Sequence, residues 1–249
     1  MISVCVAVYR AHEAPNVAAL GTALDAALDG QDGELVVALN GIDADRAGVP
    51  AGAITVDLGV NRGVAPAWNA AARVARGGVL VFCNDDVVLG ARSLATLAEA
   101  LRERSDAAVV GPEGSRWDIS RGRHLAYANP TSGNEEMAAC EVVSGFLFAC
   151  RRQTWEEVGG FDEFYAPASW EEVDFCTAVR AAGGVCYAIS SVSCSHEWGV
   201  SKRQLPWARA HWSGRSETWR SIHRRNRRHF LRKWADHPVA SVPADGAPA

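Results

Sequence analysis

The sequence lacks any apolar run long enough to cross a membrane as a helix, which takes about 20 residues. It also lacks the basic, apolar and small-residue order of a signal peptide, because the apolar stretch at residues 2–8 is too short for one. These absences argue against an integral membrane protein. We therefore expect no more than peripheral contact with a membrane.

The seven cysteines do not form the even, regularly spaced set of a disulfide framework. Cys5, Cys83 and Cys150 lie in apolar runs, where a reduced thiol behaves as a small hydrophobic group. Cys186, Cys194 and His196 match no standard zinc spacing, and a fourth ligand is missing. These features predict a reduced, cytoplasmic protein, with peripheral attachment at the inner membrane face left open.

The chain has no excess of positive charge, since 25 Lys and Arg against 29 Asp and Glu give a formal net charge of −4. A nucleic-acid-binding surface is generally basic, so we expect no nucleic-acid partner. The segment 215–233 is a local exception that is rich in arginine. Such a segment can be a solvated helix face, or it can bind an anionic lipid surface, a diphosphate or an anionic acceptor.

The chain does contain alternating strand-like and helix-like segments. Apolar, β-branched runs alternate with alanine- and leucine-rich stretches, and this pattern predicts an α/β fold with a mostly parallel central sheet flanked by helices. The length suits one large domain. The predicted strands are 2–8, 34–39, 53–58, 79–82, 107–110, 142–150 and 185–189, and the predicted helices are 16–28, 65–75, 91–102, 171–182 and 205–234.

The pattern becomes polar and irregular at 113–137, so we expect a loop there, with 131–136 mobile. Within the run 142–150, Gly145 marks a place where a ligand or another backbone comes close. We divide the main domain at 1–204 into a nucleotide-binding half, 1–112, and an acceptor half, 113–204. A helical extension is predicted over 205–235 and a disordered tail over 236–249.

Asn84, Asp85 and Asp86 follow a buried strand directly. Ionised carboxylates are costly to bury unpaired, and hard cations such as Mg²⁺ and Mn²⁺ take carboxylate and phosphate oxygens. The alternative is a turn that ends the strand. In parallel sheets, ligands bind beyond the carboxyl ends of the strands. Further residues at such ends are Tyr9, Asn40 and Asn61.

Two longer segments carry a resemblance to a known family. The run 61–71 (NRGVAPAWNAA) precedes Asn84-Asp85-Asp86, and the run 158–164 (VGGFDEF) precedes 170–176 (WEEVDFC). Together these resemble the inverting family-2 glycosyltransferases with the GT-A fold, in particular the rhamnosyltransferase- and galactofuranosyltransferase-like subgroup, over the chain up to about His196. The resemblance implies a hexosyltransferase that uses a nucleotide-diphosphate sugar, a hydroxyl acceptor, and Mn²⁺ or Mg²⁺.

The resemblance also assigns roles. It implies that Asp86 and His196 ligate the metal, with Asn84 standing where the family usually has aspartate. It implies that Glu172, the second member of an acidic pair, is the general base, although Glu171 and Glu172 are interchangeable at this level. The alternative for both is that they complement the helix dipole. Implied donor-binding residues are Ala7, Tyr9, Arg10, Asn40, Asn61, Gly63, Asn69, Asn84 and Asp85.

Gly145 and Trp170 are the predicted acceptor-binding residues, although Trp170 could also be a core residue. Two other functions compete with glycosyl transfer. A sugar-nucleotidyltransferase would carry a glycine-rich, basic signature after the first strand, which residues 9–13 lack. A non-catalytic nucleotide-sugar-binding protein would not need both Asp86 and Glu172.

Overall fold

The computed structural model describes residues 1–9, 16–130, 136–196, 205–237 and 239. Arg10, most of the predicted mobile stretch 131–136 and most of the predicted tail lie outside the described residues. The first part of the chain alternates strands and helices as expected. Its elements are β1 (Ile2–Val8), α1 (Asn16–Leu28), β2 (Gly33–Leu39), α2 (Ala44–Ala47), β3 (Ile54–Asp57), α3 (Val64–Val74), β4 (Val79–Asn84), β5 (Val87–Leu89), α4 (Ser93–Glu103) and β6 (Ala107–Gly111).

The second part of the chain is richer in short strands. Its elements are β7 (Gly114–Asp118), β8 (Arg123–Tyr127), β9 (Met137–Cys140), β10 (Val142–Val143), β11 (Leu147–Arg151), α5 (Arg152–Glu157), a 3₁₀ turn (Glu163–Tyr165), α6 (Glu171–Ala181), β12 (Val185–Ile189), β13 (Cys194–His196), β14 (Arg209–Trp212), β15 (Arg215–Thr218) and α7 (Trp219–Lys233).

Eight strands form the central sheet in the order β3-β2-β1-β4-β11-β6-β12-β9. All run parallel except β11 and β9, which are antiparallel to their neighbours. Successive side chains of a strand point to opposite faces, so both faces of these apolar strands need cover. Helices α1 and α4 pack on one face, and α3 and α6 pack on the other. This arrangement confirms the predicted α/β fold with a mostly parallel sheet.

The prediction of an irregular loop at 113–137 is wrong for residues 114–127. Strands β7 and β8 form a hairpin, and β10 extends it to a three-stranded sheet. The Asp118 carboxylate organises the turn by accepting hydrogen bonds from Ser120 and Arg121, and Gly122 adopts a φ of +54°. Every residue of β8 is exposed, so the sequence shows no apolar run there.

The prediction of a continuous helix over 205–235 is wrong for its first part. Strands β14 and β15 form a hairpin with a two-residue turn at Ser213 and Gly214, whose φ angles are +44° and +73°. Two positive φ angles fit the turn whose twist matches paired strands. Helix α7 begins only after Thr218, whose side chain accepts a hydrogen bond from the Ser221 amide.

Within the described residues, no helix combines the length and the apolar character needed to span a bilayer. The seven cysteines are free thiols, and six of them are buried.

Candidate active site

Asp86 and His196 meet at the carboxyl end of β4. A turn leads from Asn84 into β5, and β13 pairs antiparallel with β5, so that His196 lies opposite Val87. The pairing brings His196 Nε2 to 3.0 Å from Asp86 Oδ1, with side chains only 12% and 14% exposed. The structure thus joins two residues that lie 110 positions apart in the sequence.

Phe146 fixes the orientation of the His196 ring, and sequence reasoning missed it. The two rings stack with centroids 4.7 Å apart and an angle of 6° between their planes. The carbonyl of Phe146 also accepts a hydrogen bond from the Asn84 amide at 2.9 Å. Phe146 therefore supports both the histidine and the strand end that carries Asp86. The only signal in the sequence was the interruption of the apolar run by Gly145.

The donor atoms of Asp86 and His196 fit a divalent cation. A carboxylate oxygen and an imidazole nitrogen are acceptable ligands for Mn²⁺, and carboxylate also suits Mg²⁺. No group of three or more Asp, Glu, His or Cys side chains forms a metal cage among the described residues. An ion held here would therefore take further ligands from a bound molecule or water.

The acidic pair lies at the start of α6. Glu171 is 7% exposed, and its Oε2 atom has no hydrogen-bond partner among the described residues. Burial, and then the charge of Glu172, raise the pKa of Glu171 well above its ordinary value. Burial also raises the pKa of Glu172. Carboxyl groups with raised pKa values in a polar cleft are candidates for proton transfer.

Gly145 lies directly against Glu172. A Cβ atom at position 145 would be 3.2 Å from both Cβ and Cγ of Glu172, so a larger residue would displace the glutamate. Two adjacent residues therefore contact the two parts of the candidate site. Gly145 contacts Glu172, and Phe146 contacts His196. The segment 145–146 therefore separates the candidate metal pair from the acidic pair.

The amide of Asn40 has a structural role. Its Nδ2 donates to Asn61 Oδ1 at 3.1 Å and to the Gly63 carbonyl at 3.2 Å, and its Oδ1 accepts from the Arg62 amide at 2.6 Å. Asn61 in turn donates to the His211 carbonyl at 2.9 Å. These residues were predicted to bind the nucleotide. The structure brings them together at the strand ends, but it uses the Asn40 amide to shape the loop.

Gly63 begins α3 at a close approach of two backbones. Its φ is +100°, and a Cβ there would lie 2.8 Å from Pro167 Cα. The next amide, of Val64, donates to the Pro167 carbonyl at 2.8 Å. Gly63 therefore allows α3 to dock on the segment that precedes the acidic pair.

The remaining donor-binding predictions have different outcomes. Ala7 lies opposite Asn84 in the pairing of β1 with β4, and Tyr9 is 42% exposed just beyond β1. The amide of Asn69 is buried. Its Nδ2 donates to the Phe161 carbonyl and to Glu163, and its Oδ1 accepts from the Phe161 amide, so the described contacts of Asn69 are to the protein itself.

Trp170 packs on the core and also faces a cavity. Its ring packs against Phe230 with centroids 5.2 Å apart and against Trp117 at 5.6 Å. It also lines a cavity between the start of α6 and α7. Its φ of +82°, with +79° at Ser169, is unusual for residues that carry a side chain.

Asn226 on α7 holds the segment that precedes the acidic pair. Its buried Nδ2 lies 3.0 Å from the Tyr165 carbonyl, 3.2 Å from that of Ala168 and 2.9 Å from that of Ser169. Arg225 adds a hydrogen bond to the Ala166 carbonyl. Sequence reasoning missed this contact, because the partners lie about 60 residues apart.

Asp174 docks the end of α7 on α6. Its carboxylate, 2% exposed for the residue as a whole, accepts hydrogen bonds from Tyr165 Oη at 3.0 Å, Lys233 Nζ at 2.6 Å and Trp234 Nε1 at 2.8 Å. Lys233 also contacts Asp162 at 3.0 Å. Asp174 is thus an anchor for the last helix.

Comparisons with known proteins identify a family and a shared fold. Residues 3–159 match the family model described as glycosyl transferase family 2. No curated protein matches the sequence.

Three solved structures share the fold. They are GalNAc-T7 with UDP, GalNAc and Mn²⁺ (TM-score 0.63, 14% identity, 78% of this chain and 43% of that one), the mannosyltransferase PcManGT from Pyrobaculum calidifontis with GDP-Man and Mn²⁺ (0.58, 21%, 82% and 59%), and residues 1–349 of S. aureus TarS (0.54, 19%, 76% and 58%). At these identities the likeness shows the fold alone. The chain spans about half the length of these neighbours.

We expect the Asp86–His196 pair to bind metal. Asp86→Ala and His196→Ala should each weaken Mn²⁺ binding by roughly 10–100-fold or more, since even indirect partners of metal ligands have effects of that size. Titration followed by electron paramagnetic resonance, with and without a nucleoside diphosphate, measures this directly. Ser195→Ala, an exposed change on the same strand, is the control. Wild-type Mn²⁺ affinity in both variants would contradict the assignment.

We expect Asn226→Ala to lower the free energy of unfolding by about 1–3 kcal/mol, because buried carbonyls lose their hydrogen-bond donor. Denaturant titration measures the loss. Arg228→Ala, on an exposed position of the same helix, should leave stability unchanged. Equal stability of the two variants would show that the contacts of Asn226 do not hold the segment 165–169.

Proposed function

This chain belongs to glycosyl transferase family 2, and we propose that it transfers a sugar from a nucleotide-diphosphate sugar to an acceptor hydroxyl with inversion at the anomeric carbon. The observation that carries the proposal is the placement of the acidic pair and the Asp86–His196 pair on either side of Gly145 and Phe146. The Asp86–His196 pair would hold a cation beside the leaving diphosphate, and the acidic pair would supply the base for the attacking hydroxyl.

The donor would bind at the carboxyl ends of β1, β2 and β4. Asp86 and His196 would hold Mn²⁺ or Mg²⁺, and the bound ion would neutralise the charge that develops on the diphosphate. Ala7, Tyr9 and the Asn84–Asp85 turn would contact the nucleotide or the sugar. Support for a nucleotide donor comes from the GalNAc-T7 and PcManGT structures, which contain UDP or GDP-Man together with Mn²⁺.

Glu172 would take the proton of the acceptor hydroxyl as it attacks. A carboxylate whose pKa is raised by burial is a stronger base than an ordinary one. Glu171 is the more deeply buried member, and the charge of Glu172 raises its pKa further. Glu172 is only half-buried and lies against Gly145, so it is the member of the pair that an acceptor would meet.

The sequence motifs favour a donor like those of rhamnosyltransferases or galactofuranosyltransferases, that is, a sugar linked to UDP, dTDP or GDP. Family membership favours glycosyl transfer over a sugar-nucleotidyltransferase. The presence of both the Asp86–His196 pair and the acidic pair favours it over a non-catalytic nucleotide-sugar-binding protein. The free, buried cysteines agree with a reducing, cytoplasmic setting.

We expect Glu172→Gln to keep donor affinity and to lower turnover by roughly 10²–10⁴-fold, because the amide cannot accept a proton. Release of nucleoside diphosphate from UDP-, dTDP- and GDP-sugars, with water as acceptor, measures turnover. Because the base must be ionised and its pKa is raised, wild-type activity should fall on acidification at a pH above the ordinary glutamate pKa of about 4.3.

Glu171→Gln is the matched variant, since it removes the same charge one residue away. Full turnover in Glu172→Gln together with loss in Glu171→Gln would reverse the two roles. Failure of the wild type to bind any of the three donors with Mn²⁺ would contradict the proposed function itself.

A further inference from the structure

A cavity of about 530 Å³ lies between the start of α6 and the first turns of α7. Its volume is in the range of small-molecule sites. The walls combine indole rings with cationic groups. They include Trp170, Trp219, Arg220, His223, Arg224 and Arg227.

The spacing of α7 explains why cations gather there. Ile222, Asn226 and Phe230 are buried, and they recur every four residues as the face that packs on the domain. Residues 220, 223, 224 and 227 are three or four positions apart, so they share one adjacent flank. Arg228 and Arg232 are exposed and follow Arg224 at intervals of four residues, but they do not line the cavity.

The carboxylates near α7 are used by other cations. Glu217 pairs with Arg225 at 2.9 Å, and Asp162 and Asp174 pair with Lys233. In the part of the chain that the structure describes, no carboxylate pairs with Arg220 or Arg224.

Arg227 is held by oxygen atoms that carry no charge. Its guanidinium donates to the Arg121 carbonyl at 2.6 Å and to the Gly122 carbonyl at 3.4 Å. The cavity therefore gathers three positive charges without a matching negative charge among the described residues, although the chain as a whole has a net charge of −4.

We propose that this cavity binds the phosphate group of the acceptor, an inference that rests on the function proposed above. Guanidinium groups match the geometry of phosphate oxygens with paired hydrogen bonds, and the indole rings offer flat faces to an adjoining ring. Trp170 precedes Glu172 by two residues, so their Cα atoms are at most about 7 Å apart. An acceptor anchored here would reach the general base.

Two other anions fit less well. The donor diphosphate belongs beside Asp86 and His196, which are separated from Glu172 by Gly145 and Phe146. An anionic membrane surface would contact all the exposed arginines of α7 alike, Arg228 and Arg232 included, and would have no need of a cavity.

The test is binding of phenyl phosphate, a probe with one ring and one phosphate, measured by calorimetry against inorganic phosphate and phenol. The double variant Arg220→Gln/Arg224→Gln should weaken phenyl phosphate binding about tenfold or more, because it removes charged hydrogen bonds. Arg228→Gln/Arg232→Gln is the matched control and should bind as the wild type does. Both variants should keep wild-type affinity for UDP, dTDP or GDP with Mn²⁺.

Absence of phenyl phosphate binding in the wild type, or wild-type binding in the cavity variant, would overturn the proposal. Equal loss of nucleotide affinity in the cavity variant would assign the arginines to the donor and also overturn it. Binding to membranes alone would also overturn the proposal. In that case the protein would co-sediment with phosphatidylglycerol vesicles but not with phosphatidylcholine vesicles, both variants would weaken this binding, and phenyl phosphate would not bind.

Two further comparisons separate the remaining cases. Tighter binding of octyl phosphate than of phenyl phosphate would support the proposal and indicate a lipid-linked acceptor, whereas the reverse would support it and indicate a soluble one. Phenyl phosphate binding that depends on Arg220 and Arg224, in a protein that binds no donor nucleotide, would support the phosphate site and contradict the proposed glycosyl transfer.

Discussion

The burial of two adjacent glutamates at the start of α6 is the constraint on which the surrounding structure depends. Removing carboxyl groups from water disfavours their charged forms, and two such groups side by side repel each other when both are ionised. The helix N-terminus offsets part of this, because its free amides favour negative charge. The pair is held by a backbone with positive φ at Ser169 and Trp170, which itself costs about 1–3 kcal/mol for each residue.

This unfavourable arrangement is supported from outside the sheet. The two N–H groups of the Asn226 amide are shared among three carbonyls in the segment 165–169, and Asp174 accepts hydrogen bonds from Lys233 and Trp234. Both contacts use α7, so the last helix fixes the segment that leads into the acidic pair. On the other side, β11 enters the sheet antiparallel between β4 and β6. Its direction places Gly145 and Phe146 at the same edge as Asn84.

The sequence was sufficient to predict the α/β sheet and the residues at its carboxyl edge, because buried strands appear in the sequence as apolar, β-branched runs. It was insufficient for the hairpins β7–β8 and β14–β15, whose strands are mostly exposed or half-buried and depend on turns such as Ser213-Gly214. The sequence also did not reveal the contacts of Asn69 with Phe161, since a polar residue near a site looks the same whether its amide bonds a ligand or the neighbouring backbone. The meeting of Asp86 with His196 could be predicted only through the family resemblance.

The match to the family model ends at residue 159, before α6 and α7 begin. The matched part contains the sheet edge that would hold a nucleotide and its diphosphate, a requirement that donors of every kind share. The cavity, Trp170 and the arginines of α7 lie beyond it, and one fold can carry many acceptor specificities. Because α7 both fixes the segment before Glu172 and lines the cavity, a change along this helix would alter both the proposed acceptor site and the position of Glu172, the proposed base. The two are therefore coupled through the contacts of Asn226.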